Sequence, residues 1–127
     1  MEILGKSLKR SKYGIEDSVY LIRFYHSGKI YMSSTLYKSF GLTEKEGFLI
    51  VIDEASIYLL VTDNEQAFNF RNEKGSFIFI SSVMARKVIS YFGQENEKMI
   101  WVKSDIIKEL KLPKLKFRIC YTLTLAQ

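Results

Sequence analysis

The chain reads IYMSSTLYKSFGL from Ile30 to Leu42 and, seventy positions later, IWVKSDIIKELKL from Ile100 to Leu112. In register, Ile30 aligns with Ile100, Tyr31 with Trp101, Met32 with Val102, Ser34 with Ser104, Leu36 with Ile106, Lys38 with Lys108, Phe40 with Leu110 and Leu42 with Leu112. Each copy spells an apolar strand, a serine whose hydroxyl suits a helix cap, and apolar residues four apart on one face of a short helix. A looser third copy, FIFISSVMARKVISYFG, runs from Phe77 to Gly93 with a longer helix. Two origins of the echo fit the sequence. One is the shared physics of strands, caps and stripes; the other is an internal duplication with two-fold packing of halves.

Just before the first copy, VYLIRFY at 19–25 is rich in β-branched and aromatic residues and reads as a strand, followed by His26-Ser27-Gly28 and then KIYM. A three-residue loop ending in glycine predicts a hairpin with Tyr25 facing Lys29 and Arg23 facing Tyr31. Alternation then puts Tyr20, Ile22, Phe24, Ile30 and Met32 on a core face and Arg23, Tyr25, Lys29 and Tyr31 on the other. Residues 1–18, polar and basic, read as a loose arm or an edge strand.

Ser33 or Ser34 is expected to cap a helix that buries Leu36 and Phe40 and stops at Gly41. A charged turn leads to FLIVID and SIYLLVTD, a hairpin with Glu54-Ala55 at its tip. FNFR at 68–71 predicts a strand, NEKG at 72–75 a turn, and SFIFI a further strand. The helix after it is capped by Ser82, shows Ala85, Val88, Ile89 and Phe92 along one stripe, and ends at Gly93. KMIWV reads as a strand and SDIIKEL as a short helix capped by Ser104, with Asp105 in its first turn and Pro113 barring its extension. LKFRICYTLTL closes the chain as a long strand. Six to eight strands, one medium helix and two short ones predict a single α+β domain over residues 1–127, built on a largely antiparallel sheet or partial barrel with an internal pseudo-repeat as an open alternative.

Of the 127 residues, 47% are hydrophobic and one is proline, which excludes a disordered chain. The lone Cys120 lies in an apolar run and cannot form an internal disulfide, so a buried thiol in a reducing compartment is expected. No apolar run reaches the length of a membrane span, and the N-terminal stretch does not read as a signal peptide. These features predict a cytoplasmic, soluble protein. The net charge of +5 is unevenly spread: residues 1–38 carry seven basic and three acidic residues, 39–75 three and seven, and 76–127 nine and four. Basic ends favour a polyanionic partner.

Gly28-Lys29-Ile30, Met32, Leu36, Phe40-Gly41-Leu42 and Gly47, within residues 28–60, together resemble the swapped-hairpin transcription factors of the AbrB/SpoVT type. That resemblance implies DNA binding by a dimer with interleaved strands. The chain departs from the pattern in having Ser33 where the family has proline, Tyr37 where it has arginine, and Phe48 after the turn glycine where it has aspartate.

Little reads as catalytic. His26 falls in the predicted turn, Cys120 in a buried strand, and the seven glycines are scattered as turn residues. No zinc spacing occurs, and the pairs Asp53–Glu54 and Asp63–Glu65 belong to turns. The expectation is a non-enzyme with no catalytic residues, no metal and no cofactor. Two places combine charge with aromatic or helical features. The first is the hairpin face of Arg23, Tyr25, Lys29 and Tyr31, where rings suit base stacking and cations suit phosphates, although cross-strand Arg–Tyr pairs also stabilise any exposed hairpin. The second is the C-terminal set Lys103, Lys108, Lys111, Lys114, Lys116 and Arg118, which suits phosphates but also serves to guard a strand edge. The leading expectation is a nucleic-acid-binding regulator or accessory protein, the nucleic acid's type left open, with homodimerisation as a further expectation. The alternative is a structural or protein-interaction module that forms a homo-oligomer through an unpaired strand edge.

Overall fold

The computed structural model describes residues 21–107 and 115–126. Within them the chain forms β1 (Leu21–Tyr25), β2 (Lys29–Ser33), α1 (Ser34–Ser39), β3 (Gly47–Ile52), β4 (Ile57–Thr62), β5 (Arg71–Glu73), β6 (Ser76–Ile80), α2 (Ser82–Tyr91), β7 (Met99–Ile107) and β8 (Ile119–Leu125). All eight strands join one antiparallel sheet in the order β3-β4-β8-β7-β1-β2-β6-β5, curved into a half-barrel. The α+β class and the antiparallel partial barrel are thus present. Among the described residues no helix is long and apolar enough to cross a membrane.

The β1–β2 hairpin has the expected register, with Ile22 opposite Met32, Arg23 opposite Tyr31 and Phe24 opposite Ile30. Gly28 closes it at φ 110°, a conformation L side chains rarely adopt, and a Cβ there would lie 3.0 Å from the Ser82 backbone. The close approach is used: the Ser81 N–H donates to the Gly28 carbonyl at 2.9 Å, tying α2 to the hairpin turn.

The core fills the concave face. Ile22, Phe24, Ile30, Met32, Ile100, Val102 and Leu123 from the strands meet Leu36 of α1 and Ala85, Val88 and Ile89 of α2. Ser33 caps α1 by accepting from the Leu36 N–H at 3.1 Å. Ser81, one residue before the expected cap, does the same for α2 with the Met84 N–H at 3.1 Å. Both serines of that Ser-Ser pair suit the role chemically, and backbone geometry decides between them: Ser81 is extended, while Ser82 already belongs to the helix.

The two edges of the sheet almost meet. Phe48 of β3 exchanges backbone hydrogen bonds of 2.7 and 2.8 Å with Phe68, just before β5. Gly47 makes this possible, because a Cβ there would sit 2.5 Å from the Phe68 carbonyl oxygen. Aromatic rings seal the seam, with Tyr37 stacked on Phe77 at 3.8 Å and Phe68 on Phe79 at 4.4 Å. The expected strand at 68–71 is accordingly a single bridge at Phe68, with the ladder starting at Arg71.

One expected element is corrected. Ser104 to Ile107 do not begin a helix; β7 runs straight through them, pairing Ser104 with Leu123, Asp105 with Thr122 and Ile106 with Tyr121. Residues 108–112 of that copy lie outside the described residues, as does the arm at 1–18. The strand–cap–helix unit is realised by β2 with α1 and by β6 with α2, which lie side by side in the sheet.

Candidate nucleic-acid interface

β1 lies between β2 and β7, and the two echoed segments flank it in the same register. Ile30 and Ile100 both stand opposite Phe24, Tyr31 and Trp101 both opposite Arg23, and Met32 and Val102 both opposite Ile22. Strand alternation sends Phe24 and Ile22 with their partners into the core and Arg23 with its partners to the outer face. The strand half of the echo therefore has a common job: two apolar residues for the core around one aromatic for the outside.

Arg23 consequently receives an aromatic ring from each side. Its Cζ lies 4.9 Å from the Tyr31 ring centre, 5.4 Å from that of Trp101 and 6.0 Å from that of Tyr25. One guanidinium N–H reaches the Tyr25 hydroxyl at 3.3 Å, and Tyr25 meets Tyr31 edge to face at 5.4 Å. Ring quadrupoles attract a cation without cancelling its charge. None of the ion pairs among the described residues involves Arg23. All four side chains are half-buried, so the cluster is held firmly yet reaches solvent.

Lysines extend this face on both sides. Lys29, exposed, lies at the hairpin end of β2, across from Tyr25 in the same register. Lys103, two residues beyond Trp101 on β7, is exposed and opposite Leu21, with only a long 3.8 Å contact to Asp105. Lys103 belongs to the second basic stretch, so the fold brings part of that stretch to the first. Arg71, on the cross-strand row through Ile78 and Tyr31, adds an exposed cation already paired with Glu73.

Of the remaining sequence candidates, Arg118 and Lys116 lie elsewhere. Arg118 donates through Nε and Nη2 to both carboxylate oxygens of Glu46, at 2.8 and 3.0 Å, and from Nη2 to the Phe40 and Gly41 carbonyls at 3.1 and 3.0 Å. It fastens the end of α1 to β8. The Arg118 guanidinium and the Thr43 N–H beside Glu46 hold its carboxyl well below the usual carboxylate range, at about 2. Lys116 is exposed, and its carbonyl accepts from the Thr62 hydroxyl at 2.7 Å. Lys108, Lys111 and Lys114 lie outside the described residues. His26 sits exposed beyond Tyr25, which pairs with Met99 at one end of β7, whereas buried Cys120 pairs with Ile107 at the other, so the two cannot couple. Burial pushes the Cys120 thiol up, away from the reactive thiolate.

Trp101 is the residue that reading the basic stretches alone passes over. Its signal lay in the echo, which aligns it with Tyr31. Comparison of the chain with family models, curated proteins and solved structures gives no match.

Proposed function

We propose that this chain is a non-enzymatic regulator or accessory protein that binds nucleic acid across the outer face of β2, β1 and β7. The observation that carries the reading is Arg23, a guanidinium fixed between Tyr31 and Trp101 with no carboxylate among its described neighbours. Rings on both sides orient the cation while leaving its charge and most of its N–H donors for a phosphate. Lys29 and Lys103 sit on the same face and track a phosphate backbone as point charges. Tyr25, Tyr31 and Trp101 present ring area on which unpaired bases stack. The resemblance of residues 28–60 to the AbrB/SpoVT type points in the same direction.

The test is fluorescence anisotropy with labelled single- and double-stranded oligonucleotides at low and near-physiological salt. The expected result is salt-sensitive binding that weakens in Arg23→Ala, with the slope of log affinity against log salt falling by about one for the lost phosphate contact. Arg23→Lys retains the slope and loses affinity, because an ammonium lacks the planar stack. Absence of binding at low salt overturns the reading. Binding unchanged in Arg23→Ala moves the site to the C-terminal lysines.

A further inference from the structure

The two edges of the sheet are finished differently. At one edge β5 is three residues long, exposed at every residue, and carries Arg71 paired with Glu73. Short length and charge are the usual protection against another strand. At the other edge β3 is six residues long, GFLIVI, with no charge and no proline. In its ladder with β4 the backbone groups of alternate residues point outward. Phe48 marks which, since its N–H and carbonyl are the ones that reach Phe68. Two and four residues on, Ile50 and Ile52 point the same way. No hydrogen bond to their N–H or carbonyl groups occurs among the described residues.

Beside this free stretch lies an apolar groove of about 280 Å³ between β3 and α2, walled by Ile50, Ile52, Val83, Met84, Val88 and Lys87. Ile52 is 46% exposed and Val83 66%, two of the four large hydrophobic residues left in solvent among the described residues. The edge asks for an extended backbone and the groove for apolar side chains.

From this we infer that β3 is a dimerisation strand: it pairs antiparallel with β3 of a second copy about a two-fold axis at Val51. The register follows from the free groups. With Val51 opposite its own copy, Ile50 pairs with the second copy's Ile52 and the reverse, so the outward N–H and carbonyl of both residues are satisfied in each chain. Shifting the axis to Ile50 sets Ile52 against Phe48, whose groups already belong to Phe68. Shifting it to Ile52 sets Ile50 against Glu54 in the turn. Only the Val51 axis uses every free group and keeps the Phe48–Phe68 bridge. The hairpin tip turns back toward β4, where the Asp53 N–H donates to the Ser56 carbonyl at 2.8 Å, and so leaves the other copy's Phe48–Phe68 bridge in place; β3 itself brings no charge to oppose a like strand, unlike β5. Each copy's Ile52, on the core-facing side of its strand, enters the other's groove beside Val83. The half-barrels join into one continuous sheet. This inference stands on a different observation from the Arg23 cluster, and its test uses no nucleic acid.

The experiment is sedimentation velocity across a wide concentration range, with three variants of the full chain. The wild type is expected to shift from monomer to dimer with rising concentration. Ile52→Lys, a charge on the free edge at an already exposed position, is expected to stay monomeric with an unchanged far-ultraviolet circular dichroism spectrum. Ile106→Lys, at an exposed position on β7, is expected to dimerise like the wild type. Val51→Cys supplies a readout that needs no loss of folding: a non-hydrogen-bonded antiparallel pair brings its two copies within disulfide reach, so mild oxidation is expected to yield a covalent dimer. A wild type that stays monomeric throughout overturns the inference, and the free edge then serves an extended segment of another protein. A dimer that survives Ile52→Lys, is lost in Ile106→Lys, or leaves Val51→Cys uncrosslinked overturns it as well.

Discussion

Leu36 and Ile106 occupy the same place in two nearly identical sentences of sequence, yet Leu36 is buried at 4% exposure and Ile106 stands 56% exposed. The copies agree as far as Met32 and Val102 and then part. After Met32 the hydroxyl of Ser33 accepts the Leu36 N–H, and Leu36 turns into the core on α1. After Val102 no turn is made, because β8 offers a ladder from Val102 to Ile107. A serine and an apolar stripe supply about a kilocalorie of helical preference, and a six-residue ladder outweighs it. The strand half of the echo is constrained by β1, which both copies touch; the helix half is constrained by whatever lies beyond, and that differs.

Truncating the matched side chains separates the two copies most. Leu36→Ala is expected to cost about 2–5 kcal/mol in denaturant unfolding, since it leaves a cavity in the core, whereas Ile106→Ala stays within about 0.5 kcal/mol. Similar costs for the two would mean that both copies pack alike. The caps give a smaller contrast. Ser33→Ala is expected to lose about 1 kcal/mol through the unsatisfied N–H of α1, with Ser104→Ala near neutral because its strand needs no cap. A large effect at Ser104 would restore a helix to that copy.

A weaker difference between the copies lies at the far end of α1. Glu46 and Arg118 clamp the carbonyls of Phe40 and Gly41, a device attached to the first copy. The Glu46 carboxyl is lowered from an ordinary 4.5 to about 2, so its contribution to stability is complete above about pH 4.5 and disappears as pH falls through about 2. Unfolding midpoints of wild type and Glu46→Gln measured from pH 7 to pH 2 are expected to converge with acidification. A constant difference across that range would mean that the carboxylate's charge is not what holds the clamp.

Much of this was legible beforehand, for local reasons. Tyr25, Gly28 and Lys29 set the first hairpin and its register, because loop length and alternation act over a few residues. Ile22, Phe24, Ile30 and Met32 declared the core by the same alternation. What escaped depends on contacts distant in sequence. Ser104 to Ile107 read as helix because their pattern fits one, and only β8 makes them strand. Trp101 escaped the candidate face because nothing near it in sequence says that β7 returns to lie beside β1. Arg118 read as one cation in a basic run, and its bond to Glu46 crosses most of the domain.

The position of β1 has a consequence for how the chain comes to be folded. Its two neighbours are made at very different times: β2 follows it at once, while β7 lies far toward the other end of the sequence. Pairing of that kind pays its loop-closure entropy before it gains contacts, so the β1–β7 seam belongs to the slow steps of folding. On a ribosome, the ring over the second side of Arg23 arrives only after most of the domain has emerged. Trp101 is the chain's single tryptophan and sits on that seam, which makes its fluorescence a clock for the moment the two ends of the molecule find each other.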